Sequence, residues 1–217
     1  MFKEKIVIVG AGGFARETLD VFEASNKESE KWDIKGFVDD NPRLQGTVLR
    51  GYPVLGGVDW LATNGKDLKA VIAIADTKTR KKIAEKLEAA GVGFCTIIHP
   101  NVVMTPHVTV GKGCIICAGC ILTNNIKIGN HVILNLDITV GHDTVVGDYS
   151  TLSPGIHVSG INTIGEGVFM GTGAVTIQDL TIGEWSVIGA GAVVLKDIPP
   201  RVVAVGVPAK EIKKIKG

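Results

Sequence analysis

The chain has 217 residues, of which 45% are hydrophobic and 21% are charged, and its formal net charge is +1. This length fits one large or two small domains with a sizeable core, and the composition argues against a disordered or fibrous chain. The balanced charge provides no general field for binding nucleic acid or an anionic membrane. Glycine is unusually frequent, at 28 residues, without a collagen-like period. This excess predicts a repeat with many tight turns.

The N-terminal apolar stretch, residues 6–9, is too short for the hydrophobic segment of a signal peptide. No later run approaches the ~20 apolar residues of a membrane-spanning helix. We therefore expect a cytoplasmic protein whose cysteines remain thiols in a reducing compartment. The four cysteines are Cys95, Cys114, Cys117 and Cys120.

Residues 1–95 show strands that alternate with helices. The predicted strands are Ile6–Val9, Ile34–Val38 and Ala70–Ala75, and the predicted helices are Phe14–Ala24 and Thr77–Ala90. Gly91 is the residue expected to end the second helix. Strands and helices in this order predict an α/β domain with a small parallel sheet.

A glycine-rich turn lies between the first strand and the first helix. Gly10, Gly12 and Ala15 fit the G-x-G-x-x-G/A pattern, and Asp39 follows at a distance near that of the acidic residue in dinucleotide-binding folds. Glycines at such a turn let backbone N–H groups approach any phosphate, so a nucleotide-linked sugar satisfies the pattern as well as NAD does. The domain is only about half of a two-lobed dinucleotide fold. A nucleotide-linked ligand is therefore favoured, with NAD and a purely structural turn as the alternatives.

From Ile98 onward the chain has a period of six residues. Seventeen consecutive blocks run through residue 199, and sixteen of their first residues are Ile, Leu, Val or Met. Second positions favour glycine, and fifth positions favour small or β-branched residues. Each block is interpreted as a short strand and a corner, with its first residue pointing inward. Because one coil cannot bury its own apolar face, stacked coils are needed to form a continuous core.

Cys114, Cys117 and Cys120 are spaced in a way that suits a zinc or iron–sulfur site. The six-residue frame gives them another explanation, since Cys114 and Cys120 occupy fifth positions and Cys117 occupies a second position. Those positions elsewhere hold small or apolar packing residues. We therefore interpret these cysteines as packing residues and expect no metal.

His142 is the strongest candidate for a catalytic base among the five histidines, the rest of which we interpret as solvated side chains. Asp143 follows it as a charge partner, although consecutive strand residues often point to opposite faces. Gly160 stands eighteen residues after His142, which is one coil higher if three blocks make a coil. A base beside a free backbone N–H is what attack on a thioester requires.

The chain resembles the hexapeptide-repeat sugar O-acyltransferase family, in the branch that contains the sialic acid O-acetyltransferases and the N-acetyltransferases of nucleotide-linked 4-amino sugars. The resemblance covers essentially the whole chain. The segments that carry it are Gly10–Gly13, Val38–Asn41, the seventeen hexads, Val132–Asn135, Val140–Asp143 and Gly206–Lys210.

The family implies a left-handed parallel β-helix over residues 96–200, with three blocks per coil. It also implies a nucleotide-sugar-binding domain over residues 1–95 and a CoA-contacting tail over residues 201–217. A homotrimer is implied as well, with each CoA site between adjacent β-helices.

The resemblance implies roles for individual residues. His142 is the general base, Asp143 polarises it, and Asn135 lies near the acceptor amine. Gly160 directs its amide at the acetyl-CoA thioester. The residues implied to contact CoA are Ala190, Ala192 and the segment Gly206–Lys210, including Pro208 and Lys210. The residues implied to contact the nucleotide of the sugar substrate are Gly10, Gly12, Gly13, Asp39 and Asp40.

Two positions depart from the family pattern. Phe14 stands where relatives often carry His or Ser, which bears on the sugar and nucleotide that are bound. Thr151 stands where some relatives carry a second histidine, and its presence there removes an expected contact to the acetyl group.

The sequence thus predicts acetyl transfer from acetyl-CoA to the 4-amino group of a nucleotide-linked 4-amino-4,6-dideoxysugar, directly and without an acyl-enzyme. The alternatives are O-acetylation of a free sugar such as sialic acid, and a non-catalytic scaffold that binds nucleotide sugars. A hexapeptide carbonic anhydrase is disfavoured, because Gly147 stands five residues after His142, where a second histidine ligand is needed.

Overall fold

A four-stranded parallel sheet forms the first part of this computed structural model, which describes residues 3–216. The elements in chain order are β1 (Glu4–Val9), α1 (Gly13–Glu28), β2 (Trp32–Val38), β3 (Val48–Leu49), β4 (Tyr52–Pro53), α2 (Val58–Asn64), β5 (Lys69–Ile72), α3 (Thr77–Ala89) and β6 (Gly93–Phe94). The sheet has the order β2-β1-β5-β6, while β3 and β4 form a separate hairpin. Within residues 3–216 we find no helix with the length and apolar character needed to span a membrane.

The predicted α/β organisation is confirmed, with differences in its details. Helix α1 extends to Glu28, four residues beyond the predicted end, because its last turn is polar and carries no apolar periodicity. The sequence interpretation missed α2, whose seven residues are too few for a periodic signal. It also missed the β3–β4 hairpin and β6, since two-residue strands have no pattern of their own.

The remainder of the chain is a parallel β-helix whose two-residue strands lie on three faces. The first face contains β7 (Ile97–Ile98), β10 (Ile115–Ile116), β13 (Ile133–Leu134), β16 (Thr151–Leu152), β19 (Phe169–Met170) and β22 (Val187–Ile188). The second face contains β8 (Val103–Met104), β11 (Ile121–Leu122), β14 (Thr139–Val140), β17 (His157–Val158), β20 (Val175–Thr176) and β23 (Val193–Val194). The third face contains β9 (Thr109–Val110), β12 (Lys127–Ile128), β15 (Val145–Val146), β18 (Thr163–Ile164) and β21 (Thr181–Ile182).

Each coil advances the register by eighteen residues, as the pairing of Ile115 with Ile133 and of Leu122 with Val140 shows. Three six-residue blocks therefore make one coil, as expected. First-position residues such as Leu134 and Ile188 are fully buried in one continuous apolar core. The stacked coils thus bury the face that no single coil can cover.

The C-terminal segment closes the first face of the β-helix. β24 (Val202–Val205) pairs in parallel with β22, and β25 (Lys210–Lys214) pairs antiparallel with β24. The sequence interpretation contained neither strand. All five residues of β25 are exposed, and its lysines occupy the free edge, where charge opposes pairing with a further strand.

The α/β domain packs on the outer side of the first face. Ile97, Ile115, Cys117 and Ile133 point outward from the β-helix into a cluster shared with β1 and α1. Because these residues are buried by the domain above them, the two parts of the chain share a continuous apolar interface.

Arg80 of α3 is fully buried at this interface, and among residues 3–216 its side chain donates to backbone carbonyl groups only. Its Nε donates to the carbonyl of His131 at 2.8 Å, and its Nη2 donates to the carbonyls of Tyr149 and Ser150. Nη1 donates to the carbonyl of Ile74 at 2.6 Å and also to that of Ala75. Burial lowers the pKa of Arg80 to about 10, so the guanidinium stays charged at neutral pH. One side chain therefore joins the end of β5 to two coils of the β-helix.

We expect the Arg80→Met variant to lose about 3 kcal/mol or more of unfolding free energy, because several buried carbonyls lose their donor. Urea denaturation followed by circular dichroism measures the loss. Lys82→Met on the same helix is the matched control, since Lys82 is exposed and the change should stay within about 0.5 kcal/mol. Equal stabilities of the two variants would contradict the role of Arg80.

Candidate active site

The two corners that flank the second face hold the predicted catalytic residues His142 and Asp143 and several of the residues predicted to bind the acceptor and CoA. We call the corner between the first and second faces the entry corner, represented by Asn135 and Ala190. We call the corner between the second and third faces the exit corner, represented by His142 and Gly160. The sequence places each residue at its corner through the six-residue frame, since Asn135 precedes β14 and His142 follows it.

His142 and Asp143 are hydrogen-bonded at the exit corner. The Nδ1 atom of His142 lies 2.8 Å from Oδ2 of Asp143. The two adjacent side chains point the same way because Asp143 has a φ of 58°, which ends the alternation of an extended strand. The pKa of the Asp143 carboxyl is lowered, first by the hydrogen bond from His142 and then by one from Asn125. Since an ionised carboxylate only accepts hydrogen bonds, Nδ1 of His142 carries the proton and Nε2 is the free base.

Gly160 lies directly against the imidazole of His142. A Cβ atom at Gly160 would lie 2.8 Å from both Cε1 and Nε2 of His142, so no other residue type fits without displacing the ring. Within the described residues, the backbone N–H of Gly160 has no hydrogen-bond acceptor. The free base and an unused N–H donor therefore lie side by side: the base can take a proton from an attacking nucleophile, and the N–H can donate to a developing oxyanion.

Asn135 and Ala190 lie at the entry corner, at the opposite edge of the second face from His142 and Gly160. The Oδ1 atom of Asn135 accepts the N–H of Leu136 at 2.8 Å, and its amide nitrogen donates to no atom of residues 3–216. Ala190 is exposed. A single chain thus does not bring the predicted acceptor-side residue to the predicted base.

The structure gives the surroundings of Ala192, a predicted CoA contact, and of Thr151, which departs from the family pattern. Ala192 is fully buried inside the β-helix, so its side chain contributes to the core and does not reach a ligand on the surface. Thr151 lies on the first face, where its hydroxyl donates to the carbonyl of Ala75 at 2.8 Å. Within one chain it therefore joins the two domains and does not approach His142.

The segment Gly206–Lys210 connects β24 to β25 at the top of the second face. The N–H of Ala209 donates to the carbonyl of Val193 in β23 at 2.8 Å, which fixes the segment to the last coil. Pro208 and Lys210 are exposed beside this anchor. Their side chains are accessible to a ligand that runs along the second face.

The glycine-rich turn and the two aspartates border a cleft of about 210 Å³ in the α/β domain. Gly10 has a φ of 108°, and Oδ2 of Asp39 accepts the N–H of Ala11 at 2.8 Å. Oδ1 of Asp40 accepts the N–H of Val58 at 2.7 Å and so caps the start of α2. The two carboxylates therefore shape the cleft through backbone contacts.

Gly12 and Gly13 at the start of α1 are exposed, with no atom within 4 Å of a Cβ built on either. The helix N-terminus is open to solvent and has no side-chain cap. Both features suit the approach of a phosphate to backbone N–H groups. Phe14, the residue that departs from the family pattern, is half-buried against the apolar cluster below α1.

All four cysteines are buried as free thiols. Burial raises the pKa of Cys95, Cys114 and Cys117 to about 12 and that of Cys120 to about 11. Over residues 3–216, no three His, Cys, Asp or Glu side chains are grouped as a metal site requires. The cysteines thus occupy packing positions in this structure.

His131 does not fit the expectation that the other histidines are solvated. Its ring is fully buried, stacked on Tyr149 with ring centroids 5.3 Å apart and in edge contact with Phe94. Burial lowers its pKa to about 4. It therefore packs as a neutral aromatic ring at the domain interface.

Two features of the structure were missed from the sequence, one at the site and one elsewhere. Asn125 contacts Asp143 from the coil below, and its eighteen-residue spacing from Asp143 is a signal that could have identified it. A cleft of about 410 Å³ lies between the start of α3 and the β-helix, beside Phe169 and Trp185. None of the predicted site residues lines that cleft.

Comparisons with known proteins agree with this architecture. The family model described as PglD N-terminal domain matches residues 5–87. A GDP-perosamine N-acetyltransferase from Escherichia coli O157:H7 is 35% identical over 110 residues, which cover 50% of this chain and 49% of that protein. A UDP-N-acetylbacillosamine N-acetyltransferase from Bacillus subtilis (strain 168) is 39% identical over 125 residues, which cover 53% of this chain and 52% of that protein. The matches thus span about half the length of these two curated relatives.

A solved structure extends the similarity over the whole chain. It is that of a single-residue variant of perosamine N-acetyltransferase from Caulobacter crescentus, in complex with CoA and GDP-perosamine. The TM-score is 0.88 and the identity is 32%, over 97% of each chain. The chain therefore belongs to the hexapeptide-repeat sugar O-acyltransferase family, in the branch that includes the nucleotide-linked amino-sugar N-acetyltransferases.

Proposed function

We propose that this protein transfers the acetyl group of acetyl-CoA to the 4-amino group of a nucleotide-linked 4-amino-4,6-dideoxysugar. One observation carries the reaction type: the free Nε2 of His142 lies beside the unused N–H of Gly160, with Asp143 holding the other side of the imidazole. The names of the relatives support the substrate class, since both curated enzymes are N-acetyltransferases of nucleotide-linked amino sugars.

In the proposed reaction the sugar amine attacks the thioester carbonyl carbon, and Nε2 of His142 accepts the proton that the amine loses. The Gly160 N–H donates to the oxygen that becomes negative as the C–N bond forms. The C–S bond then breaks, and the imidazolium returns the proton to the CoA sulfur. The products are the amide and CoA.

Direct transfer fits the surroundings of His142 better than an acyl-enzyme does. A covalent route needs an activated nucleophile within reach of the base. The thiols Cys114, Cys117 and Cys120 are buried, and their raised pKa keeps them protonated at neutral pH. None of them presents a thiolate to a thioester at the exit corner.

We place the nucleotide of the sugar substrate in the cleft of the α/β domain. The exposed N-terminus of α1 favours a diphosphate, since the N–H groups of Gly12 and Gly13 have no acceptor in the described part of the chain and the helix dipole attracts negative charge. Gly10, Asp39 and Asp40 form the adjoining wall. Residues 1–95 then hold the acceptor while residues 96–200 provide the base.

A homotrimer would complete the site, because the predicted residues are divided between two edges of one chain. Asn135 and Ala190 lie at the entry corner, and His142 and Gly160 lie at the exit corner. Packing of second faces around a threefold axis brings the entry corner of one copy to the exit corner of the next. CoA would then lie between adjacent β-helices, against Gly160 on one side and against Ala190 and the Pro208–Lys210 segment on the other.

The apolar character of the second face supports this assembly. Val103 and Ile121 point outward from it and are 62% and 42% exposed, and Ile177 and Leu195 are exposed at its exit edge. Exposed apolar residues gathered on one face of a domain are consistent with an interaction surface.

A shared site predicts complementation between two inactive variants. In a mixture of His142→Ala and Asn135→Ala chains, unfolded and refolded together, about a quarter of the sites should combine both native residues. Activity should therefore reappear in the mixture, while separately refolded variants that are combined afterwards should stay inactive. If co-refolded trimers gain nothing over the separate variants, the two residues do not belong to one shared site.

We also propose that the reaction takes place in the cytoplasm and serves polysaccharide biosynthesis. Four free cysteines within the described chain fit a reducing compartment. A nucleotide-linked sugar is an activated sugar donor, so its N-acetylated product is suited to a later glycosyl transfer.

The test of the proposed function is CoA release, followed with a thiol reagent, when acetyl-CoA is offered with UDP-, GDP- and dTDP-linked 4-amino sugars. Each sugar is paired with its 4-hydroxy analogue, and free sialic acid is included. Turnover on a 4-amino sugar and none on its analogue is the expected result. Turnover on sialic acid alone would replace the proposal with O-acetylation. If no sugar gives CoA release although CoA still binds, the assigned acceptor class is wrong.

A further inference from the structure

A column of four residues runs along the exit corner, one from each successive coil. Asn125, Asp143, Ile161 and Asp179 stand eighteen residues apart, with φ angles of 53°, 58°, 62° and 61°. Their shared left-handed backbone conformation orients all four side chains alike. Within this column Asn125 and Asp143 are joined by a side-chain hydrogen bond.

The Asp143 carboxylate is held through both of its oxygens. Oδ2 accepts from Nδ1 of His142 at 2.8 Å, and Oδ1 accepts from Nδ2 of Asn125 at 3.2 Å. Ile161, its neighbour in the coil above, carries no donor. Among residues 3–216 these two are the hydrogen bonds that the carboxylate accepts, although half of its side chain is exposed to solvent.

The hydrogen bond from Asn125 to Asp143 determines how firmly the bond between Asp143 and His142 orients the imidazole. A carboxylate with a single partner rotates about its χ2 angle and shares its oxygens with water, so the partner ring rotates with it. A carboxylate bonded at both oxygens keeps one plane. Both bonds favour the ionised form, and the pKa of Asp143 is accordingly lowered. Asn125 thus acts on His142 without touching it.

We propose that Asn125 is a positioning residue for acetyl transfer: through Asp143 it holds the His142 imidazole in the Nδ1–H tautomer, with Nε2 directed at the space beside Gly160. The inference rests on the proposed function and assigns Asn125 a part in the same site. Asn125 does not contact the reacting groups, so its effect belongs to kcat and not to the binding of acetyl-CoA.

Two variants test the proposal without disturbing the corner. Asn125→Gly removes the amide and accepts a positive φ, and Asn125→Asp keeps the shape and the tolerance of φ 53° but replaces the donor by a second carboxylate. We expect kcat to fall roughly tenfold in both, the size of one lost hydrogen bond to a charged group, with an unchanged KM for acetyl-CoA. The ¹⁵N signals of His142 should change from one Nδ1–H tautomer to a mixture of tautomers.

Asn130→Asp is the matched control. Asn130 donates through Nδ2 to Oδ2 of Asp148 at 3.2 Å, again across eighteen residues, but at the corner between the third and first faces, away from His142. This variant creates the same pair of stacked carboxylates without touching the proposed site. It should keep wild-type kcat and the wild-type His142 tautomer.

The tautomer measurement needs no substrate, so it separates failure of this inference from failure of the proposed function. A native chain that turns over no acceptor, with a His142 tautomer that still depends on Asn125, would overturn the function and keep the positioning role. Wild-type kcat and a single tautomer in Asn125→Asp would overturn the positioning role. An equal loss of kcat in Asn130→Asp would also overturn it, because it would show that a pair of stacked carboxylates lowers kcat at a corner remote from His142.

Discussion

The His142→Ala variant should lose about 10²–10⁴-fold in kcat, the usual contribution of one general base. The imidazole, which Asp143 holds in place, offers Nε2 to the acceptor amine. We assign no other base among the described residues to the space beside Gly160. The KM for acetyl-CoA should change little, because CoA binding is assigned to backbone and exposed groups that the substitution leaves in place. Initial rates at saturating acceptor, followed by CoA release, measure the effect.

The His107→Ala variant is the control for effects of a lost histidine on folding and on surface charge. His107 is exposed and lies at the exit corner two coils below Asp143, so its loss removes a surface histidine without touching the base. It should turn over at the wild-type rate. A His142→Ala enzyme that matches it would remove His142 from the mechanism and leave positioning of the two substrates as the source of catalysis.

The six-residue period predicted the β-helix because every block contains the same local features: a residue that points inward, a corner and a constant spacing to the next block. Leu134, Leu152 and Met170 are buried one above another for that reason. The docking of the α/β domain was not predictable in this way. Ile115 and Ile133 point outward from the β-helix, so the six-residue period alone predicts that they are exposed. In the structure they are covered by the α/β domain, which Arg80 joins to the β-helix.

Parts of the candidate site were visible in the spacing, and others depend on dihedral angles that the sequence does not display. The eighteen-residue interval identified Gly160 as the neighbour of His142, which the structure confirms. The Asp143 side chain points toward His142 because its φ is 58°. In a regularly alternating strand it would point to the opposite face. The CoA contact of Ala192 stays a prediction; its fifth position buries its side chain in the core, as the packing of the other fifth-position residues already indicated.

The Gly160→Ala variant should lose about 10²-fold in kcat, with a stability close to that of the native protein. The new methyl group would lie 2.8 Å from Cε1 and Nε2 of His142, so the ring must shift by a large part of an ångström. A base displaced by about 1 Å costs a factor of this size. The imidazole side chain is 59% exposed and can move into solvent, so the fold itself should lose no more than about 1 kcal/mol.

Two comparisons show whether this loss acts through His142. Added to His142→Ala, the Gly160→Ala change should reduce kcat far less than it does in the native enzyme, because the group it displaces is already gone. Gly113→Ala places a methyl group against the ring of His131, but that ring is buried and remote from the exit corner. It should lower the unfolding free energy by about 2 kcal/mol and leave kcat of the folded protein unchanged. Full additivity of Gly160→Ala and His142→Ala would instead mean that the added methyl group acts directly on the bound thioester and not through the His142 ring.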